Sequence, residues 1–126
     1  MRVRKVKWYT LELVKNNPEC LFIFGDNLLG VGKGGQAIIR DEPNSYGIPT
    51  KKEPSLSNKA FFNDNEFEQN VSFIDNAINS MPSSYKVIVF PEDGLGTGLA
   101  DLPARAPKTY AYLVETINQK FGDIYE

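Results

Sequence analysis

Two glycine-rich stretches contain the residues of this sequence best suited to bind an anion. In the first, an apolar run at residues 21–24 passes through a polar turn into a loop with four glycines in six residues, Gly30, Gly32, Gly34 and Gly35. Glycines let backbone N–H groups approach an anion without an intervening Cβ atom. A helix that starts directly after the loop adds the positive end of its dipole. The stretch therefore predicts a phosphate or pyrophosphate site, and a flexible turn without a ligand is the alternative.

The spacing Gly30-x-Gly32-x-x-Gly35 also matches the dinucleotide-binding fingerprint. That fingerprint requires an acidic residue about twenty positions further on, at the end of the next strand. Here the next strand ends in threonine and two lysines at residues 50–52. A Walker A loop fits no better, because Lys33 is followed by glycine instead of serine or threonine. The glycines thus indicate an anion site without assigning it to either of these classes.

A second glycine loop follows the β-branched apolar strand near residue 90, and its sequence is Gly94-Leu95-Gly96-Thr97-Gly98. Three alternating glycines are more than a tight turn requires, and the Thr97 hydroxyl adds a possible partner for a phosphate or a ribose. The alternative is a tight connection between a strand and a helix. Two such loops, each after a buried strand, can hold a diphosphate from two sides.

Other candidate side chains follow the ends of the predicted strands. Lys51 and Lys52 are candidates for a phosphate contact, a nucleophile or an electrostatic stabiliser, and the alternative is a solvated surface lysine. Asp26 and Asn27 are candidates for hydrogen bonds to a base or a ribose, and the alternative is an Asx turn. Asp101 is a candidate general base, or a cap of the last helix.

The composition limits the chemistry and the setting. There is no histidine, which excludes a Ser-His-Asp triad, a Cys-His dyad and a histidine-built zinc site. We expect no metal and no cofactor. The lone cysteine, Cys20, has no internal disulfide partner, the amino terminus is charged, and no apolar run approaches membrane length. We therefore expect one cytoplasmic domain over residues 1–126 that does not engage a membrane.

Strands and helices alternate along the chain, which predicts an α/β fold with a largely parallel sheet. Strands are expected at 2–9, 21–24, 45–50 and 86–90, with a polar surface loop at 51–63. Helices are expected at 11–16 and 35–40, from a cap at Asn65, and from about residue 103 to Gly122. Ligands of such sheets bind beyond the carboxyl ends of the strands, so both glycine loops should lie at that edge.

The order of these pieces resembles the macro domain family, whose members bind ADP-ribose. The family's signature strand ends in asparagine and continues into a glycine loop and an Ala-Ile helix, as the segment from Asn27 through Gln36 to Ile38 does here. The family's second phosphate loop, of the form P-x-x-G-x-G, is similar to the segment from Pro91 to Gly96. The resemblance covers residues 21–121. It implies a three-layer α/β/α sandwich with a mixed, mostly parallel sheet, in which Gln36 lies at the ligand beside the loop glycines.

Within that superfamily, the chain looks most like the branch that contains the terminal ADP-ribose protein glycohydrolase. Members carry Thr-Lys-Lys after the middle strand, as residues 50–52 do, and an aspartate just beyond the second glycine loop. The resemblance implies that Lys51 attacks the anomeric carbon of the ribose and that Asp101 is the acid/base. In the related enzymes the aspartate directly follows Gly-x-Gly-Leu, whereas here Ala100 occupies that position.

Three functions remain open from the sequence. The first is an enzyme that removes ADP-ribose from an ADP-ribosylated macromolecule. The second is a module that binds ADP-ribose or a related nucleotide without catalysis. The third is a Rossmann-type nucleotide binder outside the family.

Overall fold

A parallel four-stranded sheet forms the centre of the computed structural model, which describes residues 2–125. Its strands are β1 (Arg2–Val6), β2 (Cys20–Asn27), β3 (Ser45–Lys51) and β4 (Val87–Pro91). Their order is β1-β4-β2-β3. The predicted α/β fold and all four predicted strands are therefore confirmed, and β1 lies at one edge of the sheet.

The sheet described within residues 2–125 is parallel throughout, whereas the macro-domain resemblance implied a mixed sheet. All pairings between its strands are parallel, and the antiparallel contact described outside them is one isolated bridge between Lys51 and Phe61. The physical reason lies in the connections. Helical segments lie between β1 and β2, between β2 and β3, and between β3 and β4, and such crossovers return the chain in the same direction.

Four α-helices are described, namely α1 (Leu11–Lys15), α2 (Phe67–Asn79), α3 (Leu102–Arg105) and α4 (Pro107–Phe121). Short 3₁₀ helices occupy Gly35–Ile39, Asn58–Ala60 and Asp64–Glu66. The helix predicted at 11–16 is confirmed as α1, and the Thr10 hydroxyl oxygen caps it by accepting from the Leu13 N–H at 3.0 Å. The end of α4 is also as predicted, because Gly122 follows it with φ +93°, a conformation that suits glycine.

Alternate residues of the central strands pack into two separate apolar clusters. Leu21 and Ile23 of β2 belong to the larger cluster, which contains residues of α2, α3 and α4. Phe22 and Phe24 belong to the smaller one, which contains Val14 of α1 and Ile39. Because successive strand residues point to opposite sides of a sheet, both sides of β2 are apolar and buried.

Two expectations about loops and caps were wrong. The stretch expected as a polar surface loop contains buried Phe61 and Phe62, since the chain turns back there against the end of β3. Asn65 does not cap α2, which has no side-chain cap. Asn63 caps the preceding 3₁₀ turn instead, because its side chain accepts from the Asn65 N–H at 3.0 Å. The 3₁₀ turn Asp64–Glu66 moves the start of α2 to Phe67.

No helix within residues 2–125 is long and apolar enough to cross a membrane. Cys20 is a buried free cysteine at the start of β2, as expected of a core residue.

Candidate functional site

A cleft of about 260 Å³ opens at the carboxyl ends of β2 and β3. It brings together nine residues that the sequence singled out, Asp26, Asn27, Gly32, Gly34, Gly35, Gln36, Lys51, Gly96 and Gly98. The remaining six do not line it, and these are Gly30, Lys52, Gly94, Leu95, Thr97 and Asp101. Lys52 forms an ion pair with Glu66 instead. Both glycine loops therefore meet at one site, as their positions after buried strands had predicted.

The first glycine loop is held by the Asn27 side chain. Its Oδ1 accepts from the Leu29 N–H at 3.1 Å, and its Nδ2 donates to the Val31 carbonyl at 2.7 Å. The backbone at Gly30, Gly32 and Gly35 has positive φ, which other residues adopt only with strain. The alternative of an Asx turn therefore describes the Asn27 contacts well, and the loop is pre-shaped around the cleft.

Asp26 and Arg40 form an ion pair in the cleft wall, which the sequence reasoning missed. Arg40 donates to the two Asp26 carboxylate oxygens at 2.6 and 3.0 Å, and both side chains are about 15% exposed. The same guanidinium donates to the Gly32 carbonyl at 2.8 Å and to the Val31 carbonyl at 3.1 Å. Asp26 therefore acts first as the partner that fixes Arg40 against the loop. The sequence carried one sign of this pair, which was an acidic residue at the end of a predicted strand, Asp26, and a basic residue 14 positions later, Arg40.

Gln36 connects the two glycine loops. Its Oε1 accepts from the Gly25 N–H at 3.0 Å, and its Nε2 donates to the Gly94 carbonyl at 3.0 Å. One side chain thus fixes the distance between the end of β2 and the loop after β4. Gly94 contributes to the site through this contact, although it does not line the cleft.

Within the second glycine loop, the residues divide into packing and lining positions. The side chain of Leu95 is 2% exposed and belongs to the larger core cluster. The Thr97 hydroxyl donates to the Asp93 carbonyl at 2.9 Å, so it closes the turn. Gly96 and Gly98 are left to face the cleft.

Lys51 is buried at the end of β3 and lines the cleft. Its ammonium lies 4.6 Å from the centre of the Phe61 ring. Burial lowers the pKa of Lys51, the nearby Arg105 guanidinium lowers it further, and Glu53 acts in the opposite direction. No ion pair of Lys51 is found within residues 2–125. A lysine with these properties is suited to chemistry as an amine or to contact with an anion.

Asp101 lies outside the cleft and is exposed. It has a left-handed backbone with φ +49°, and its Oδ2 lies 3.5 Å from Nε of Arg105. It precedes the short helix α3 and makes no capping hydrogen bond with its side chain, so the expected cap of the last helix was wrong. Ala100 lines the cleft at this point instead.

Within residues 2–125, no group of three histidine, cysteine, aspartate or glutamate side chains is placed to hold a metal ion. The fold and the cleft define a small α/β protein with a glycine-lined site at the carboxyl edge of a parallel sheet. The model of a family of unknown function, DUF7831, matches residues 4–116, and the chain belongs to that family. No curated protein and no solved structure matches the chain.

Proposed function

We propose that this protein binds ADP-ribose or a related nucleotide in the cleft and hydrolyses an ADP-ribosyl linkage. The observation that carries the proposal is the convergence of both glycine loops and Lys51 on one cleft at the carboxyl edge of the sheet. Glycine loops present backbone N–H groups, and Lys51 adds a cation to the wall when it is protonated, whereas the charge of Arg40 is balanced by Asp26. These are the features that a diphosphate requires.

The proposal includes a macro-domain-like, three-layer α/β/α arrangement. It is supported by the two apolar clusters, one formed with α2, α3 and α4 and the other with α1 and the 3₁₀ helix Gly35–Ile39. In such folds the ligand lies where the strands end, which agrees with the position of the cleft.

The size of the cleft indicates how such a ligand is held. At about 260 Å³ it lies just below the range of roughly 300–1,000 Å³ that is usual for small-molecule sites. We expect it to enclose the diphosphate and one sugar, while the remainder of the nucleotide lies along the rim. Val31 and Leu99 are 48% and 70% exposed and line this rim, so they offer apolar contact to a base or a sugar.

In the reaction we propose, the neutral amine of Lys51 attacks the anomeric carbon of the distal ribose. A C–N bond forms as the bond from that carbon to the acceptor oxygen breaks, and the acceptor leaves with the electron pair and takes the proton lost by the amine. Water then replaces the lysine at the same carbon, which releases ADP-ribose and restores the amine. Burial and the Arg105 charge lower the pKa of Lys51 from its ordinary value, which shifts the lysine towards the neutral amine that the first step needs.

A thermal-shift panel tests the binding. We expect ADP-ribose to raise the melting temperature more than NAD, AMP or cyclic nucleotides do, because a ligand that binds only the folded state stabilises it by mass action. A greater shift with intact NAD would favour a Rossmann-type nucleotide binder. The absence of a shift with all of these nucleotides would contradict the proposal.

Release of ADP-ribose from ADP-ribosylated protein and DNA tests the catalysis. We expect Lys51→Met, which keeps the aliphatic volume, to abolish release while the affinity for ADP-ribose falls by about tenfold or less, which is about 1.4 kcal/mol. The matched control is Lys59→Met, since Lys59 is exposed and does not line the cleft. Full turnover by Lys51→Met would remove this lysine from the mechanism.

A binding module without catalysis is the second candidate, and the position of Asp101 favours it. The residue that the resemblance assigns as acid/base lies outside the cleft, beside Arg105. Tight binding of ADP-ribose by calorimetry, with no release from any ADP-ribosylated substrate, would support this function over hydrolysis.

A further inference from the structure

Two cations share one buried aromatic ring beside the cleft. The ammonium nitrogen of Lys51 lies 4.6 Å from the centre of the Phe61 ring, and the guanidinium carbon of Arg105 lies 3.6 Å from it. Both distances are within the range of cation–π attraction. The ring itself is only 4% exposed, so it provides a fixed surface for both groups.

The backbone fixes where this ring lies. Lys51 and Phe61 are paired in an antiparallel bridge, and the Lys52 N–H donates to the Ala60 carbonyl at 2.8 Å. The chain between them therefore returns against the end of β3 and brings the ring to the lysine. This backbone pairing therefore fixes the distance between Lys51 and the Phe61 ring.

Arg105 reaches the ring from α3, and two polar groups hold it there. Nε of Arg105 lies 3.5 Å from the Asp101 carboxylate, one helical turn earlier, and its Nη1 donates to Oδ1 of Asn58 at 3.4 Å. Arginine stays protonated at every accessible pH, so this charge is permanent. Asp101 lies outside the cleft, but it contacts Arg105, which shares the Phe61 ring with Lys51.

The charged groups around Lys51 are few. Arg105 of α3 opposes its protonation, while Glu53 on the following loop favours it. The Asp26–Arg40 pair lies on the cleft wall and is close to neutral as a unit. Among these groups, Arg105 is the cation that bears most directly on Lys51, and Asp101 is the acid beside that cation.

We propose that Arg105 is a positioning residue for Lys51 through the Phe61 ring, and that Asp101 acts on Lys51 only through its ion pair with Arg105. The ring limits where the lysine amine can lie, and the guanidinium charge opposes a second positive charge at the same ring. The part of this inference that concerns turnover rests on the proposed function. The part that concerns the protonation state of Lys51 does not depend on the proposed function.

An NMR titration of protein labelled with ¹³C-lysine tests the second part without any ligand. The Lys51 signal is assigned by its absence from Lys51→Met. We expect Arg105→Gln and Arg105→Met, which remove the charge, to shift the Lys51 midpoint to higher pH, and Arg105→Met retains the apolar stem over the ring. Lys108→Gln removes an exposed positive charge at the start of α4 and should leave the midpoint in place.

Asp101→Asn provides the decisive comparison. We expect it to shift the Lys51 midpoint to lower pH in the otherwise unchanged protein, and to have no effect in the Arg105→Gln background. An equal shift in both backgrounds would show that Asp101 acts directly, and an unchanged midpoint in both Arg105 variants would exclude Arg105 as a positioning residue. Either result overturns the proposal.

Turnover gives an independent comparison. In Arg105→Gln, the pH at which ADP-ribose release becomes half-maximal should move upward together with the NMR midpoint. If the unchanged protein releases no ADP-ribose, the hydrolase proposal fails while the NMR result on Arg105 stands. The two failures are thus distinguishable.

Discussion

Among the glycines that line the cleft, Gly96 has the least room for a side chain. A Cβ atom there would lie 2.9 Å from Cβ of Thr50 and 3.1 Å from Cβ of Leu102, and the backbone has φ +74°. Its carbonyl accepts from the Leu102 N–H at 2.9 Å, which ties the loop to α3. Strand, loop and helix therefore meet within contact distance at one glycine.

At the residue scale, we expect Gly96→Ala to reduce the free energy of unfolding by about 2 to 4 kcal/mol, because it combines a left-handed backbone with an overpacked contact. Gly98→Ala is the matched control in the same loop, since a Cβ atom there meets nothing within 4 Å. We expect the control to change stability by less than about 0.5 kcal/mol. Chemical denaturation of both variants measures the difference, and equal stabilities would contradict the steric account.

At the element scale, the start of α4 is capped by a residue far away in the sequence. The Asp64 carboxylate accepts from the N–H groups of Lys108 and Thr109 at 2.9 and 3.0 Å, and from the Thr109 hydroxyl at 3.0 Å. Burial alone would raise the pKa of Asp64, but these hydrogen bonds and the nearby Lys108 charge outweigh it, so the pKa lies below its usual value. The contact joins the turn before α2 to the last helix.

We expect Asp64→Ala to reduce the free energy of unfolding by about 1 to 2 kcal/mol at neutral pH, the usual cost of a lost helix cap. A carboxylate with a lowered pKa in the folded state contributes stability that is fully present above its unfolded pKa, about 3.9. That contribution is lost as the pH falls through the folded pKa. The stability difference from the unchanged protein should therefore shrink in acid.

Urea denaturation from pH 7 to pH 3 measures this difference. Asp41→Ala is the control, because Asp41 is an exposed acid whose described ion pair is with exposed Lys33. Surface ion pairs contribute little, so this control should have little effect at any pH in the series. A difference for Asp64→Ala that stays constant down to pH 3 would show that the carboxylate charge is not the cause.

At the scale of the whole molecule, the described parallel sheet has two edge strands, β1 and β3, and the bridge between Lys51 and Phe61 covers the end of β3. The β1 edge carries Arg2 and Arg4, both exposed. Charges on an edge strand discourage pairing with a second copy of the chain. We expect Arg2 and Arg4 to have this effect here.

We expect the double variant Arg2→Thr, Arg4→Thr to associate at concentrations where the unchanged protein does not. Size-exclusion chromatography with light scattering measures it. The control Lys15→Gln, Lys108→Gln removes two exposed helix charges, and both double variants change the net charge from −2 to −4 because two positive charges are lost. Equal behaviour of the two variants would assign the effect to net charge and not to the edge.

The sequence by itself determined most of the elements and the place of the cleft. Alternating apolar runs and helical stripes predict the four strands and α1, α2 and α4, because these patterns reflect local burial. They did not predict that the last helical stretch divides into α3 and α4, or that the helix expected at 35–40 is a 3₁₀ helix. Both glycine loops follow buried parallel strands, so their meeting at one edge follows from the topology of an α/β sheet. Lys51 lies at the same edge because it is the last residue of β3, which pairs with β2.

Only the tertiary structure decided which side chains are partners. Arg40 forms an ion pair with Asp26, and Asp64 caps α4. The Arg105 guanidinium lies over the Phe61 ring, beside Lys51. The Asp64–Thr109 and Phe61–Arg105 contacts join residues far apart in the chain, so a local sequence pattern does not show them. Hydrogen bonds and ion pairs form where folding brings groups within about 3 Å of each other, and periodicity carries no information on that distance.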